Sequence, residues 1–382
     1  MEKGQDTFDA NQSAKFLSKA RDALIKGDRE EALRCAVEGL KQNPTGNGSA
    51  ELNRIAAGVL LESGSVKLAL NHAEKAMELS TDIDDYMEGY RSTMLLGQVL
   101  ARMDRYTEAL FSWNKALDIG RQNKDVCAQS TSLLNLAMLE QRFGNHERAI
   151  QILAEAEDLL KNEKDLRLLA TCCSRKTLSF METGKIDLAL DNCMKLEEIA
   201  RKSGVKPLIA SSNFRKGTIY LDQDDYEKAL VPLQTASDIY KELGDNKNLA
   251  LTLCNLASTY IGLEQPDEVD MLLKEVVTLA RGVDSTLVMS EVQLVLAEMA
   301  VFRHNAPQID YCYEEFLRLA EEIGNEERFK VFHESIGKSL NKLGFEIFGI
   351  KRILERARTS YKKLGLKKEL KELDAWLERV PG

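Results

Sequence analysis

The sequence contains little proline and few aromatic residues. There are 6 prolines among 382 residues, and phenylalanine, tryptophan and tyrosine together make up 6%. Runs of valine, isoleucine and threonine, which favour strands, are also scarce. These shortages argue against β-sheets and predict an all-α chain. The 7 cysteines are odd in number and scattered from Cys35 to Cys312, so we expect reduced thiols and no disulfide framework.

Long apolar segments are missing as well. No run reaches about 18 apolar residues, and the first residues carry charges and amides where a signal peptide would have its apolar core. Apolar residues make up 44% of the chain and charged residues 30%. We therefore expect a soluble protein that is cytoplasmic and does not insert into a membrane.

The sequence repeats itself with a period of 40 residues. The alanine of an EAL or LAL motif is the marker, and the series reads Ala69, Ala109, Ala149, Ala189 and Ala229, followed in register by Val269 and Ile309. Ala32 precedes this series and Ile350 follows it, at slightly different spacings. A fixed period of this length indicates stacked supersecondary units. About nine units cover nearly the whole chain.

Each unit has the pattern of a helical hairpin. Twelve residues before the marker stands a second column of small residues: Ala20, Ala57, Gly97, Ala137, Thr177, Gly217, Ala257 and Ala297. Apolar residues recur at helical spacing on both sides of a polar break such as Asp222 to Asp225. Glycines punctuate the predicted turns, at Gly64, Gly144 and Gly184 inside units and at Gly204, Gly244 and Gly324 after them. Each unit is therefore predicted to be a helix, a turn and a second helix.

This pattern resembles the tetratricopeptide repeat, with its small eighth, twentieth and twenty-seventh residues and tyrosines such as Tyr220 and Tyr226. The 40-residue length is similar to the extended repeats of kinesin light chains, G-protein-signalling modulators, Rap-type regulators and MalT-type activators. The resemblance implies a right-handed α-solenoid, a superhelix whose first helices line a concave groove. We assign residues 1–12 to an N-terminal tail, 13–365 to a single solenoid and 366–380 to a C-terminal capping helix.

The resemblance also implies a binding site. In the family, the second, sixth and ninth residues of the first helix face the groove, and four consecutive units here have Asn135, Arg175, Arg215 and Asn255 at the sixth residue. Arginine suits carboxylates, and asparagine can bond to a peptide backbone. We therefore predict that the groove binds a peptide segment of a partner protein with acidic character.

Two further features bear on binding, the second-position residues and a basic C-terminal stretch. The second positions are Thr131, Thr171, Ser211 and Leu251, without the lysine that chaperone-binding members of the family use, so a clamp for a chaperone tail is not expected. Residues Lys351 to Arg379 hold ten basic and five acidic side chains. This basic stretch is predicted to form the capping helix that a solenoid needs, with docking of an acidic partner as the alternative.

Motifs of catalytic and metal sites are absent. The chain has no GxxxxGK[ST], GxGxxG, HExxH or paired CxxC sequence. Cys172 and Cys173 are adjacent and would point about 100° apart on a helix, which makes a poor chelate. We expect no enzyme activity, no cofactor and no metal. The net charge of −9 argues against binding to nucleic acid.

One alternative function stays open at this point. Rap-type and MalT-type repeats suggest a sensor module of a signalling or transcription system, in which a peptide or small molecule changes how compact the superhelix is. The sequence also leaves homo-oligomer formation open, since either end of the solenoid could be covered by another copy of the chain.

Overall fold

The computed structural model describes residues 2–42, 46–80, 85–163, 166–283, 285–323, 337, 350–365 and 367–380. These residues form eighteen helices, and none of them lies in a strand. The chain divides into two compact units, Met1–Asn192 and Cys193–Gly382, with the boundary inside one helix. The all-α class predicted from the sequence is confirmed.

Unit 1 is a series of helical hairpins. Its helices are α1 (Glu2–Ile25), α2 (Arg29–Leu40), α3 (Gly46–Glu62), α4 (Val66–Ser80), α5 (Tyr86–Arg102), α6 (Tyr106–Gln122), α7 (Val126–Arg142), α8 (His146–Leu160), α9 (Leu166–Glu182) and the first part of α10 (Ile186–Ser203). In the first four hairpins the two helices pack together, and the second helix also packs against the first helix of the next hairpin. α1 begins at Glu2 and includes most of the segment 1–12 that we expected to be a tail.

Unit 2 continues the same pattern. It contains the rest of α10, α11 (Lys206–Asp222), α12 (Tyr226–Leu243), α13 (Asn246–Gly262), α14 (Pro266–Val283), α15 (Thr286–Phe302), α16 (Ala306–Ile323), α17 (Ile350–Leu364) and α18 (Lys367–Arg379). Of the first helix expected in the ninth hairpin, only Gly337 is described. Two residues named in the sequence analysis, Gly324 and residue 366 at the start of the capping helix, lie outside the described residues. One continuous solenoid over 13–365 stays a prediction.

The two columns of small residues form the packing seams of the hairpins. The eight marker side chains of α2 to α16, from Ala32 to Ile309, have no exposed surface. The column twelve residues earlier is buried too, and Gly97 shows why it must be small. A Cβ atom on Gly97 would lie 2.3 Å from Nε1 of Trp113, which is fully buried. Small side chains therefore let the two helices of a hairpin approach closely.

The short turns that the structure describes in full each use a residue with left-handed backbone. Gly64, Gly144, Gly184, Gly204 and Gly244 have positive φ, as the sequence predicted. The equivalent turns elsewhere place non-glycine residues in the same conformation: Asp104, Lys124, Asp224, Glu264 and His304. Aspartates after several turns, such as Asp125 and Asp245, then accept hydrogen bonds from backbone N–H groups of the next helix. The short helix connections therefore depend on backbone geometry and capping together.

The basic C-terminal helices pack within unit 2, and their role as a cap stays a prediction. Asp310 of α16 accepts hydrogen bonds from Arg352, at 2.7 Å, and from Arg356. Trp376 of α18 lies against Gly337, where a Cβ atom would be only 2.1 Å from the indole ring. Part of the local positive charge, on Arg352 and Arg356, is thus paired with α16.

Candidate functional site

The candidate site is the face of the first helices, which carries the second, sixth and ninth positions of each repeat. In unit 1 the first helices of successive hairpins contact one another along this face, α1 with α3, α3 with α5, and α7 with α9. In unit 2 the same is true of α11 with α13 and of α13 with α15. Each unit is described separately.

The face of unit 1 contains a cavity of about 390 Å³. Its lining includes second-position residues Arg91 and Thr131, sixth-position residues Ile55 and Leu95, and ninth-position residues Gly58 and Gln98. Residues from the first helices of three successive repeats therefore line one opening. Several of them, such as Ile55 and Leu95, are apolar. Arg91 is exposed and lies at this opening. It occupies the second position of the repeat before the one that contains Thr131, so the second-position residues include a cation.

A buried ion pair fixes the wall of this cavity. Nε of Arg54 donates to Oε1 of Glu88 at 2.7 Å, and the Glu88 side chain is only 5% exposed. The hydroxyl of Ser92 donates to the same carboxylate oxygen at 3.2 Å. Because a buried carboxylate without such partners would be costly, this network holds α3 and α5 in one arrangement.

Asn135 and Arg175 lie on α7 and α9 of unit 1 at equivalent positions, and both are half-buried. Arg175 is held by Gln141: its Nη1 donates to Oε1 of Gln141 at 3.2 Å. Nε2 of Gln141 in turn donates to the backbone oxygen of Arg175 at 2.8 Å and to Oγ of Ser179 at 2.7 Å. The buried Gln141 therefore orients the guanidinium, and less side-chain freedom is left to lose when an anion binds.

Arg215 and Asn255 occupy the same position on α11 and α13 of unit 2. Arg215 is half-buried beside the ring of Phe214, with the guanidinium 5.9 Å from the ring centre. Burial lowers the pKa of Arg215 from its usual range, although the nearby Tyr240 and Cys193 groups oppose this change. Arginine stays cationic at neutral pH even so. Nδ2 of Asn255 donates to Oγ1 of Thr218 at 3.0 Å, so this amide is oriented by a ninth-position neighbour.

The ninth position adds polar groups in unit 2 that the sequence analysis did not single out. Thr218 bonds to Asn255, and Oγ of Ser258 donates to Oε2 of Glu298 at 2.5 Å. The sequence could have indicated these residues, because each lies three residues after the sixth position of its 40-residue repeat. The face of unit 2 therefore carries a carboxylate as well as Arg215.

Lys176 and Lys216 follow the two arginines at a position that is usually apolar. Lys176 is buried and pairs with Glu157, and Nζ of Lys216 lies 3.1 Å from Oε2 of Glu197. Each lysine thus reaches a glutamate 19 residues earlier, on the second helix of the preceding hairpin. These two cations support packing between hairpins, so they do not belong to the cations of the face, which include Arg91, Arg175 and Arg215.

The thiols of Cys172 and Cys254 are shielded from water. Burial raises the pKa of the Cys172 thiol to about 12 and that of Cys254 well above its usual value. Both are therefore protonated at neutral pH and weak nucleophiles. Within the described residues, no group of three or more His, Cys, Asp or Glu side chains could hold a metal ion. None of the described helices has the length and apolarity needed to cross a membrane.

Parts of the chain match a repeat family model and a curated protein. Residues 90–162 and 208–282, together less than half of the chain, match the family model described as tetratricopeptide repeat. The 43 kDa receptor-associated protein of the synapse from Tetronarce californica is 21% identical over 197 residues, which are 51% of this chain and 48% of that protein. The match therefore spans about half the length of this curated relative.

Solved structures share the fold at low sequence identity. The apo form of the quorum sensor NprR from B. thuringiensis has a TM-score of 0.60 and 16% identity, with 86% of this chain and 93% of that chain covered. A Rap protein complexed with Competence and Sporulation Factor has a TM-score of 0.59 and 11% identity, with 97% of both chains covered. These likenesses confirm the expected resemblance to tetratricopeptide-repeat proteins and the α-solenoid fold.

Proposed function

We propose that this chain, whose repeats are tetratricopeptide repeats, is a non-catalytic interaction protein that binds a peptide segment of a partner protein on its first-helix face. The proposal rests on the contacts that hold the two sixth-position arginines. Arg175 is oriented by Gln141, and Arg215 is half-buried beside Phe214. Side chains that are already ordered and partly removed from water bind anions at a lower entropic cost than mobile surface cations do.

Acidic character of the bound segment follows from the same two residues. Burying a cation costs free energy, and a carboxylate placed against it offsets part of that cost. The planar guanidinium can donate two parallel hydrogen bonds to one carboxylate. Asn135 in unit 1 and Asn255 in unit 2 carry both a donor and an acceptor, which suits the amide groups of a peptide backbone. We propose Asn135 with Arg175 in unit 1, and Arg215 with Asn255 in unit 2, as the binding residues.

A pull-down from extract of the source cell tests this proposal. Wild type is compared with Arg175→Ala, Arg215→Ala and the double variant, and the eluates are identified by mass spectrometry. We expect at least one protein to be retained by wild type and lost from the double variant. The single variants then assign the contact to unit 1 or to unit 2.

The matched control removes the same charge from second helices. Arg121 of α6 and Arg281 of α14 are exposed, and their replacement by alanine lowers the net charge by the same amount. This control is expected to retain the partner. If the Arg175 and Arg215 variants retained the same proteins as wild type, the assignment of the binding residues would be wrong.

A second candidate is a sensor module that responds to a peptide or small molecule. The cavity of about 390 Å³ in unit 1 favours it, since this volume falls in the range of small-ligand sites. One solved structure of similar fold is a quorum sensor. A sensor should change its radius of gyration in small-angle X-ray scattering when a low-molecular-weight fraction of the cell extract is added, and a static interaction module should not. A cytoplasmic location and the lack of nucleic-acid binding stay predictions of the sequence.

A further inference from the structure

Unit 2 exposes an apolar side chain at one position of three consecutive second helices. Val231 of α12 is 65% exposed, Met271 of α14 is 62% exposed and Tyr311 of α16 is 58% exposed. Each lies two residues after the buried marker of its repeat, so the repeat register places all three on the same side of the unit. We call these three residues the apolar ridge.

The ridge is not required by the packing of the repeat. At the same position in unit 1 the residues are Arg34 of α2, Asn71 of α4, Phe111 of α6, Gln151 of α8 and Asp191 of α10, all exposed. Polar residues are therefore compatible with this position, and Phe111 is a single apolar residue between two polar ones. Three large apolar side chains in consecutive repeats of unit 2 are the kind of continuous patch that marks an interaction surface.

An open groove borders the ridge. A space of about 750 Å³ lies among α14, α15 and α16, with Leu273, Val277 and Leu296 in its lining. Its α14 side includes Asp270, the residue before Met271, and its α16 side includes Gln308, one turn before Tyr311. An apolar side chain that packs between Met271 and Tyr311 can therefore extend into an apolar space.

Exposed carboxylates outnumber free cations beside the ridge, since of the two basic residues in the groove lining, Lys274 and Arg303, Arg303 pairs with Asp270. Glu227 at the start of α12 and Asp267 and Glu268 at the start of α14 are exposed, one turn before Val231 and Met271. The neighbouring Lys228 does not cancel them, because its Nζ lies 2.6 Å from Oδ2 of Asp225. A partner that covers the ridge would gain from lysine or arginine at the edge of its apolar stripe and would be repelled if that edge were acidic.

The groove beside the ridge selects the form of the partner. Because α14 and α16 leave this groove open between them, a helix that lies in it can place one apolar face against Met271, Tyr311 and the groove lining. We propose that the ridge and the adjoining groove bind an amphipathic helix of a partner protein, with an apolar stripe on one face and basic residues along one edge of that stripe. The ridge is formed by second helices, α15 contributes Leu296 to the groove, and neither Arg215 nor Asn255 lines it.

A synthetic probe tests the proposal directly. The probe is a fluorescein-labelled helical peptide of about 20 residues with leucine at every seventh position and lysine along one edge. The reference peptide has glutamate in place of each lysine. Binding to the full chain is measured by fluorescence anisotropy up to about 100 μM protein. We expect the lysine peptide to bind wild type and the glutamate peptide to bind about tenfold more weakly or not at all.

Two sets of variants distinguish specific binding at the ridge from non-specific binding of the peptide. The variant Val231→Ser, Met271→Ser, Tyr311→Ser should bind the lysine peptide at least about tenfold more weakly. Phe111→Ser is the matched control, since it removes an equally exposed aromatic residue from unit 1, and it should bind as wild type does. A second variant, in which Glu227, Asp267 and Glu268 are each replaced by lysine, should prefer the glutamate peptide. Circular dichroism verifies that each variant keeps its helix content.

Several outcomes would overturn the proposal. Failure of the lysine peptide to bind wild type, equal binding of both peptides, or equal binding by wild type and the serine variant would each do so. Sedimentation velocity tests the other occupant, a second copy of the chain. If wild type were a dimer and the serine variant a monomer, the ridge would be a self-association surface and the partner-helix proposal would be wrong.

Discussion

The contact between Gly97 and Trp113 yields a prediction that can be worked through from the structure. Replacing Gly97 by alanine adds a Cβ atom 2.3 Å from Nε1 and 2.5 Å from Cδ1 of Trp113. The indole has no exposed surface, and its Nε1 donates to the backbone oxygen of Met94 at 3.2 Å. The ring cannot stay in place, so the substitution must disturb both the packing of α5 against α6 and this hydrogen bond.

The expected magnitude combines three contributions to the free energy of unfolding. Overpacking a core costs about 1–3 kcal/mol, and leaving the buried indole N–H without its partner costs about 1–3 kcal/mol. Against this, alanine is a better helix former than glycine by about 1 kcal/mol. Gly97→Ala is therefore expected to destabilise unit 1 by about 1–5 kcal/mol. Gly58→Ala is the matched control, because no atom lies within 4 Å of a Cβ at Gly58.

Urea unfolding followed by tryptophan fluorescence measures both variants. The chain has two tryptophans, so a Trp376→Phe background leaves Trp113 as the reporter of unit 1. We expect Gly97→Ala to unfold at lower urea than the background protein and Gly58→Ala to unfold at equal or higher urea. If Gly97→Ala were as stable as the background, the close approach of the two helices at this seam would be refuted.

Two further predictions concern titratable groups. Burial raises the pKa values of the Cys172 and Cys254 thiols, whereas Cys127 is exposed. Ellman's reagent at neutral pH should therefore modify Cys127 in the native chain and reach Cys172 and Cys254 only after unfolding. Fast modification of Cys172 or Cys254 in the native state would contradict their burial. Burial also lowers the pKa of His72, whose Nδ1 lies 2.9 Å from Oδ1 of Asn53. The unfolded chain then binds protons more readily, so the stability of unit 1 should fall as pH drops below about 6.5. His72→Gln should reduce the difference in the free energy of unfolding between pH 5 and pH 7, measured by urea unfolding. An unchanged difference would contradict the role of His72.

The repeat architecture could be predicted from the sequence because its signals are periodic. The markers from Ala69 to Ile309 recur in register, and burial of residues at a fixed spacing admits few folds other than stacked hairpins. The turn at Asp224 lies in the polar break that the sequence predicted, whereas the turns at Asp104 and His304 lack the glycine that marks others. Aspartate and histidine adopt left-handed backbone more often than most non-glycine residues, but this preference is too weak to locate a turn without the helices on either side.

The candidate site was only partly predictable. The register placed Asn135 and Arg175 at equivalent positions, but the bond from Arg175 to Gln141 joins residues 34 apart and depends on how α7 packs against α9. The same holds for the pairing of Lys176 with Glu157, 19 residues earlier. The cavity in unit 1 was missed because it requires residues from several first helices to be read together.

Site-specific photo-crosslinking tests the central claim, binding on the first-helix face, most directly. Benzoylphenylalanine is introduced in place of Thr171, an exposed second-position residue of α9, or of Gln151, an exposed residue of α8, both in unit 1. After irradiation in extract of the source cell, crosslinked proteins are identified by mass spectrometry. The account predicts a partner crosslinked from position 171 and not from position 151. The same proteins from both positions, or a partner from position 151 alone, would contradict it.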